Sequence, residues 1–91
     1  MENDIRNIMG GIVERVSDSE MYMIFASLIS SDNLTSLGKC EESMMIADAF
    51  ADAIRESGIS DMRKRKFMEY AEKTKSVISG DIVKFKKEKY A

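Results

Sequence analysis

Apolar residues in the first part of the chain recur every three or four positions. They are Ile5, Ile8, Met9, Ile12, Val13 and Val16. This spacing places them on one face of an α-helix, with Asn3 or Asp4 as its predicted cap. Gly10 and Gly11 lie inside this helix but off its apolar stripe, where each costs about 1 kcal/mol relative to Ala. The pair either admits a neighbouring backbone, marks a bend or is a tolerated weak point.

A second helix is predicted to begin at Ser17. Ser17 and Glu20 have the spacing of a capping box, and Val16 and Met21 have the spacing of a hydrophobic staple. Residues 21–29 are apolar almost all round the helix, a pattern typical of a helix covered on every side. Because few helices can be enclosed in so small a domain, we expect this helix either at the centre of the fold or covered by another copy.

A third helix is predicted from about residue 39 to residue 57, after a polar loop at residues 30–33. Its inner stripe comprises Cys40, Met44, Ala47, Phe50, Ala51 and Ile54. Gly58 is predicted to end this helix in the left-handed conformation, with Ile59 contacting Ile54 as in a Schellman motif.

A fourth helix is predicted to begin with Ser60 as its N-cap and to end at Gly80. Its inner face comprises Phe67, Tyr70, Ala71, Thr74 and Ile78. Residues 81–91 fit either a short helix or an edge strand, and we favour the helix. The absence of proline and the eight methionines also favour helices. The sequence therefore predicts an all-α fold, a single domain over residues 1–91 built as a compact bundle of four helices, with room for a short fifth C-terminal element.

Charge is sorted along the sequence. Residues 1–59 carry four Lys or Arg against eleven Asp or Glu, whereas residues 60–91 carry ten against five. The two segments have formal charges near −7 and +5, although the whole chain has only −2. Acidic and basic surfaces attract each other across interfaces, so we expect contact with other copies of the chain or with another charged macromolecule.

The basic segment contains a run of four cations, Arg63, Lys64, Arg65 and Lys66. Cations in the first turns of a helix oppose the positive end of its macrodipole, which costs roughly a few tenths of a kcal/mol for each exposed charge. Compensation is expected either from phosphate groups of a nucleic acid or from an acidic face on the third helix, unless the run is simply solvated. That acidic face comprises Asp48, Asp52 and Glu56.

Residues 43–79 also resemble a helix-turn-helix unit, in which a second helix enters the major groove of DNA. Gly58, Ile59 and Phe67 match the expected turn glycine and apolar positions. Two positions depart from that pattern, because Ile54 stands where alanine is usual and Lys64 where a buried aliphatic residue is usual. Nucleic-acid binding by this unit is the alternative function.

The composition, 44% hydrophobic and 33% charged residues, is typical of a soluble globular protein. No apolar run approaches the roughly 18 residues needed to span a bilayer, so we expect a cytoplasmic protein without membrane contact. Cys40 is the single cysteine and histidine is absent. An internal disulfide, a zinc site and a histidine-activated nucleophile therefore lack their usual residues. We expect neither enzymatic activity nor a cofactor or metal.

Residues 45–54, MIADAFADAI, follow the apolar segment and the polar loop. This alternation of Ala and Asp resembles short orphan accessory proteins of tailed-phage genomes, and the likeness covers residues 21–57. The resemblance implies binding and blocking of host machinery, including defence nucleases. It carries over no catalytic residues.

The resulting hypothesis is a small, non-enzymatic protein-binding module that associates with itself and contacts a further protein. In this hypothesis the second helix supplies buried contact, and the basic run steers an acidic partner towards it. The residues expected to contact the partner are Met21, Tyr22, Met23, Phe25, Arg63, Lys64, Arg65 and Lys66.

Overall fold

A computed structural model of the chain describes residues 2–90, with the side chains of residues 4–88. Its four α-helices are α1 Glu2–Arg15, α2 Asp18–Leu28, α3 Leu37–Glu56 and α4 Asp61–Tyr90. A short 3-10 turn, Ser31–Asn33, lies in the loop between α2 and α3. The described residues contain no strand, so the predicted all-α bundle of four helices is confirmed.

Serine side chains cap the first turns of α2, α3 and α4. The predicted capping box is present, because the Glu20 N–H donates to Ser17 Oγ at 3.1 Å and the Ser17 N–H donates to Glu20 Oε1 at 3.0 Å. Ser36 Oγ accepts from the Lys39 N–H at 3.2 Å, so α3 begins two residues earlier than predicted. Ser60 Oγ accepts from the Arg63 N–H at 3.3 Å, as predicted for α4.

The most extensive helix contacts are between α3 and α4, between α1 and α3, and between α2 and α4. α3 and α4 are antiparallel, since Arg55 and Lys64 meet near their connection and Asp48 and Lys75 meet farther along. α1 runs parallel to α3, with Glu14 beside Gly58. α2 runs parallel to α4, because Asp18 contacts Lys66 and Tyr22, about one turn later, contacts Tyr70. α3 is the central helix, because it packs against each of the other three.

The core lies between α3, α4 and α2, and α1 closes one side of it. Its largest fully buried side chains are Met21, Phe25, Ile54, Phe67 and Ile78, together with Val13 of α1. Phe25 and Phe50 meet edge to face with their ring centroids 6.1 Å apart. The predicted inner stripes of α3 and α4 therefore point inward, although Met44 and Tyr70 are only partly buried.

The chain leaves α3 without the predicted left-handed glycine. No glycine within the described residues has a positive φ, so the prediction for Gly58 is wrong. Instead Ser57 ends α3 in an extended conformation, and its Oγ donates to the Ile54 carbonyl at 2.8 Å. That bond satisfies a terminal carbonyl which a Schellman motif would otherwise satisfy.

The prediction that Gly80 ends the fourth helix is also wrong. α4 continues through Gly80 to Tyr90, so the segment after it is helical and is no separate fifth element. Ile82 and Phe85 pack against the core, and their burial offsets the roughly 1 kcal/mol that a glycine costs inside a helix.

For α1, the predicted cap at Asp4 is wrong, and one of the three alternatives for the glycine pair is excluded. The helix begins at Glu2, so Asp4 lies within its first turn and does not cap it, whereas the side chain of Asn3 lies outside the described side chains. A Cβ at Gly10 would meet nothing within 4 Å, and at Gly11 only the Arg15 side chain. The glycine pair therefore does not admit a neighbouring backbone among the described residues.

Candidate protein-binding face

α2 buries one face and exposes another. Met21 and Phe25 are 0% and 1% exposed, whereas Tyr22 and Met23 are 59% and 67% exposed. Of the two alternatives predicted for α2, the central position is therefore wrong, because α3 takes that place and α2 lies at the side of α4. Coverage of α2 by another copy stays a prediction. Met21 and Phe25 hold α2 onto the bundle and are not available to a partner. Tyr22 and Met23 are available.

A groove runs between the exposed side of α2 and α4. We call it the α2–α4 groove; its lining comprises Tyr22, Phe25, Ala26, Ile29, Tyr70, Lys73, Thr74 and Val77. Its volume is about 220 Å³. Phe25 and Thr74 are buried at its floor, whereas Val77 is 46% exposed at its rim. The groove thus presents mainly apolar surface to solvent, with Lys73 as its one cation.

Two tyrosines form one end of the α2–α4 groove. The rings of Tyr22 and Tyr70 meet edge to face, with centroids 5.5 Å apart and planes at 79°. Tyr70 also stacks on Phe67, whose centroid lies 6.4 Å away and which is fully buried. The core therefore fixes Tyr70, and Tyr70 in turn supports the more exposed Tyr22. An aromatic pair held in this way loses little conformational freedom when a partner binds.

Arg63 is held at the junction of three helices. Its Nη2 donates to the Val16 carbonyl at 2.6 Å, just beyond the end of α1. Its guanidinium carbon lies 5.1 Å from the centroid of the Phe67 ring, and its Nε lies 3.7 Å from Asp18 Oδ1. These contacts occupy the guanidinium within the fold.

Lys66 and Lys64 also bind groups of the same chain. Lys66 Nζ lies 3.1 Å from Asp18 Oδ2, and this hydrogen bond raises the pKa of the lysine, with the charge of Asp18 adding to the effect. Lys64 Nζ donates to the Arg55 carbonyl at 3.1 Å, in the last turn of α3. A cation at the negative end of a helix is favourable, so the fold compensates for the positive start of α4.

Arg65 points to another side of α4, where it borders a shallow depression with Met68, Glu69, Glu72 and Lys73. Successive helical residues are 100° apart, so Lys64 and Arg65 face away from the side of α4 on which Arg63 and Lys66 both contact Asp18. The structure therefore does not bring Arg63, Lys64, Arg65 and Lys66 together as one surface patch.

The predicted acidic face of α3 does not compensate for that run. Asp48 Oδ1 lies 2.9 Å from Lys75 Nζ, in the middle of α4, and Asp52 Oδ1 accepts from Arg55 Nη1 at 2.8 Å. Glu56 borders depressions between α1 and α3. The described ion pairs of Arg63 and Lys66 go to Asp18 of α2, a residue that the sequence hypothesis did not assign to this role.

A second exposed apolar surface lies on α1 and α3. We call it the α1–α3 apolar surface; it comprises Ile5, Ile8, Met45 and Ile46, which are 54%, 62%, 72% and 40% exposed. Ile5 borders a small depression with Ala49 of α3. Met45 and Ile46 lie about one turn earlier on α3.

Cys40 lies in the core and is 0% exposed. Burial raises the pKa of its thiol, and the negative charges of Asp81 and Glu41 raise it further. The neutral thiol is thus the stable form, as expected for a small apolar core residue.

Among residues 4–88, no group of three or more His, Cys, Asp or Glu side chains is arranged to hold a metal ion. In the part of the chain that the structure describes, no helix combines the length and apolar character needed to span a bilayer. No protein-family model, curated protein or solved structure matches this chain significantly.

The sequence hypothesis found Tyr22 but missed its neighbours in the α2–α4 groove. Tyr70 and Thr74 were assigned to the inner face of α4, and Ala26 and Ile29 to an undivided apolar segment. A pairing of α2 with α4 at an offset of 48 residues brings Tyr22 to Tyr70 and Asp18 to Lys66. No local pattern in the sequence encodes that offset.

Proposed function

We propose that the protein is a small binding module that contacts another protein through the α2–α4 groove and acts without catalysing a reaction. The observation that carries this proposal is the fixed tyrosine pair beside exposed apolar surface, with Tyr22 59% and Val77 46% exposed. Aromatic residues at the edge of an apolar depression are the usual centres of binding energy in protein interfaces.

The size of the groove supports a protein partner over a small-molecule ligand. Pockets for drug-sized molecules hold about 300–1,000 Å³ and enclose most of the ligand. The α2–α4 groove holds about 220 Å³ and lies open at the surface. It suits a few apolar side chains of a partner.

A peptide-display library selected against the folded chain tests this proposal. Selected peptides are then titrated against the Tyr22→Ala variant and against Met23→Ala as the matched control. Both positions lie on the exposed side of α2, but Met23 does not line the groove. We expect roughly a tenfold or larger loss of affinity for Tyr22→Ala and less than about a threefold loss for Met23→Ala. Equal losses, or no enriched peptides, would reject the proposal.

Self-association belongs to the same proposal, and the α1–α3 apolar surface supports it. Its four large apolar residues, exposed on α1 and α3, are candidates for contact between copies. Sedimentation velocity over a range of concentrations should detect an oligomer that Met45→Glu weakens. Met62→Glu is the control, because Met62 is 81% exposed on α4 and lies outside that surface. A monomer at every concentration removes self-association, and an oligomer that dissociates in high salt instead favours contact between acidic and basic surfaces.

The resemblance of residues 21–57 to tailed-phage accessory proteins supports one form of this function. We propose on that basis a cytoplasmic inhibitor that binds host or defence machinery and thereby blocks it. Expression of the wild type and of Tyr22→Ala in a bacterial host tests this form. If Tyr22→Ala retains the full inhibitory effect, the inhibition does not depend on the groove.

Nucleic-acid binding by residues 43–79 remains the alternative. The helices of a helix-turn-helix unit cross at about 90–120°. α3 and α4 instead lie antiparallel over several turns, and Lys64 binds a carbonyl of α3. A mobility-shift titration with duplex DNA at two salt concentrations tests this alternative, which requires binding that weakens as salt rises.

A further inference from the structure

We propose that the α2–α4 groove takes a short amphipathic helix whose apolar side chains are flanked by Asp or Glu. This inference rests on the proposed function and names the class of partner. The groove is bounded along one edge by α4, the basic helix of the chain. Its apolar lining and the charge of that edge carry the argument.

Three lysines lie along the edge of the groove on α4, where Glu69 is also a neighbour of Lys73. Lys66, Lys73 and Lys84 are spaced by seven and eleven residues, so they lie on one side of the helix. Lys66 is paired with Asp18. Lys73 and Lys84 are exposed and have no salt bridge among residues 4–88. A partner carboxylate beside the groove therefore meets cations that the fold has left unpaired.

The length of the groove matches a short helix. Its lining on α2 extends from Tyr22 to Ile29, and on α4 from Tyr70 to Val77. Seven residues of helix rise about 10 Å, which is close to two turns. A partner helix with apolar residues at positions i, i+4 and i+7 presents a stripe of this length. Carboxylates next to that stripe then lie near Lys73 and, beyond the end of the groove, near Lys84.

A second copy of the chain fits this groove less well. In a twofold symmetric dimer the same surface faces itself, so the lysine edge of one copy would oppose the lysine edge of the other. A head-to-tail contact between the groove and the acidic residues of α3 would leave open ends and form chains. Asp48 and Asp52 are also already paired within the molecule. Charge complementarity thus favours a separate acidic partner.

Two designed helical peptides test the inference with the 91-residue chain. Both carry the same leucines at positions i, i+4 and i+7; one is flanked by glutamates and the other by lysines. Each is titrated into the ¹⁵N-labelled chain and followed by NMR chemical-shift changes. We expect the glutamate peptide to bind roughly tenfold tighter than the lysine peptide at low salt, and to shift amides near Tyr22 and Val77.

The double variant Lys73→Glu and Lys84→Glu provides a charge reversal. Both positions are exposed, so the variant should keep the melting behaviour of the wild type. It should now prefer the lysine peptide, whereas Tyr22→Ala should weaken both peptides. Unchanged preference after the reversal overturns the inference.

Other outcomes separate this inference from the proposed function. If both peptides bind equally well and binding still depends on Tyr22, the claim of an acidic partner is rejected, but the groove is retained as a binding site. Binding of neither peptide also overturns the acidic helix, whereas library peptides that depend on Tyr22 would still support the groove. If duplex DNA displaces the glutamate peptide and also binds Tyr22→Ala as well as wild type, the lysines are assigned to phosphate binding. If Tyr22→Ala abolishes an oligomer, the groove is assigned to contact with a second copy.

Discussion

Two methionines on α2 give a matched test of how this helix is oriented. Met21 is 0% exposed and Met23 is 67% exposed, although only one residue separates them. Both were expected to contact a partner when the sequence alone was considered. Replacing each with Ala removes the same atoms from the same helix, so the difference in unfolding free energy reports the environment of each side chain.

The expected losses follow from burial. Complete burial of a Met side chain contributes about 1.5–3 kcal/mol, and the cavity left by truncation brings the cost of Met21→Ala to about 2–5 kcal/mol. Met23 is 67% exposed, so about one third of such a burial, roughly 0.5–1 kcal/mol, is lost in Met23→Ala. The higher helix propensity of Ala offsets a few tenths of a kcal/mol, roughly, of that loss. We therefore expect the buried variant to be about 2–4 kcal/mol less stable than the exposed variant.

Urea unfolding followed by far-ultraviolet circular dichroism measures both variants. With a slope of about 1–2 kcal/mol per molar urea, Met21→Ala should lower the midpoint by about 1 M or more, and Met23→Ala by well under 1 M. Equal losses for both variants at low protein concentration would refute the assigned orientation of α2. A Met23→Ala loss that appears only at high concentration would instead show that another copy covers this residue.

Further substitutions test the local structure. Ser17→Ala removes the acceptor for the Glu20 N–H and should cost about 1 kcal/mol of unfolding free energy in urea. The hydrogen bond with the Ser17 backbone lowers the pKa of Glu20 most, and a hydrogen bond with the Ser17 side chain lowers it further. Stabilisation by the carboxylate is therefore present at neutral pH and lost as pH falls through the folded-state pKa, so the stability gap between wild type and Glu20→Ala should close on acidification. Gly80→Ala should raise stability by about 0.5–1 kcal/mol, because the added Cβ meets nothing within 4 Å, and a loss would contradict a continuous α4. Gly58→Ala should cost less than about 0.5 kcal/mol in thermal melts, since its φ is not positive; a larger loss would indicate a left-handed residue. The Cys40 thiol should react slowly with a disulfide reagent until denaturant is added, and rapid reaction in the native state would contradict its burial.

The sequence predicted the parts of the fold that depend on local chemistry. The capping box at Ser17 and the cap at Ser60 are formed by residues three positions apart, so their signals survive in any helical fold. The two glycine predictions failed because a glycine permits a left-handed residue or a helix end but requires neither. At Gly80 the packing of Ile82 and Phe85 carries the helix onward, which is a tertiary effect.

The candidate site was less predictable because it depends on the offset between two helices. An all-round apolar pattern in residues 21–29 does not say which side faces the core. Contact of Tyr22 with Tyr70 fixes that side, and the two residues are 48 positions apart. Adjacent cations were similarly misleading, because residues next to each other in a helix point about 100° apart. Arg63 and Arg65 consequently have different surroundings despite their near adjacency.

Some of the opposite charges of the two segments meet within one molecule. Asp18 binds Arg63 and Lys66, and Asp48 binds Lys75, so α2 and α3 place acidic groups beside the basic α4. Part of the charge separation along the sequence is thus explained by ion pairs between helices of one molecule, without a partner. The cations available to a partner are those without an ion pair in the fold. Among the described residues these include Lys73 at the α2–α4 groove. Apolar contact and electrostatic attraction therefore coincide at the α2–α4 groove, so salt should weaken a partner bound there without abolishing its dependence on Tyr22.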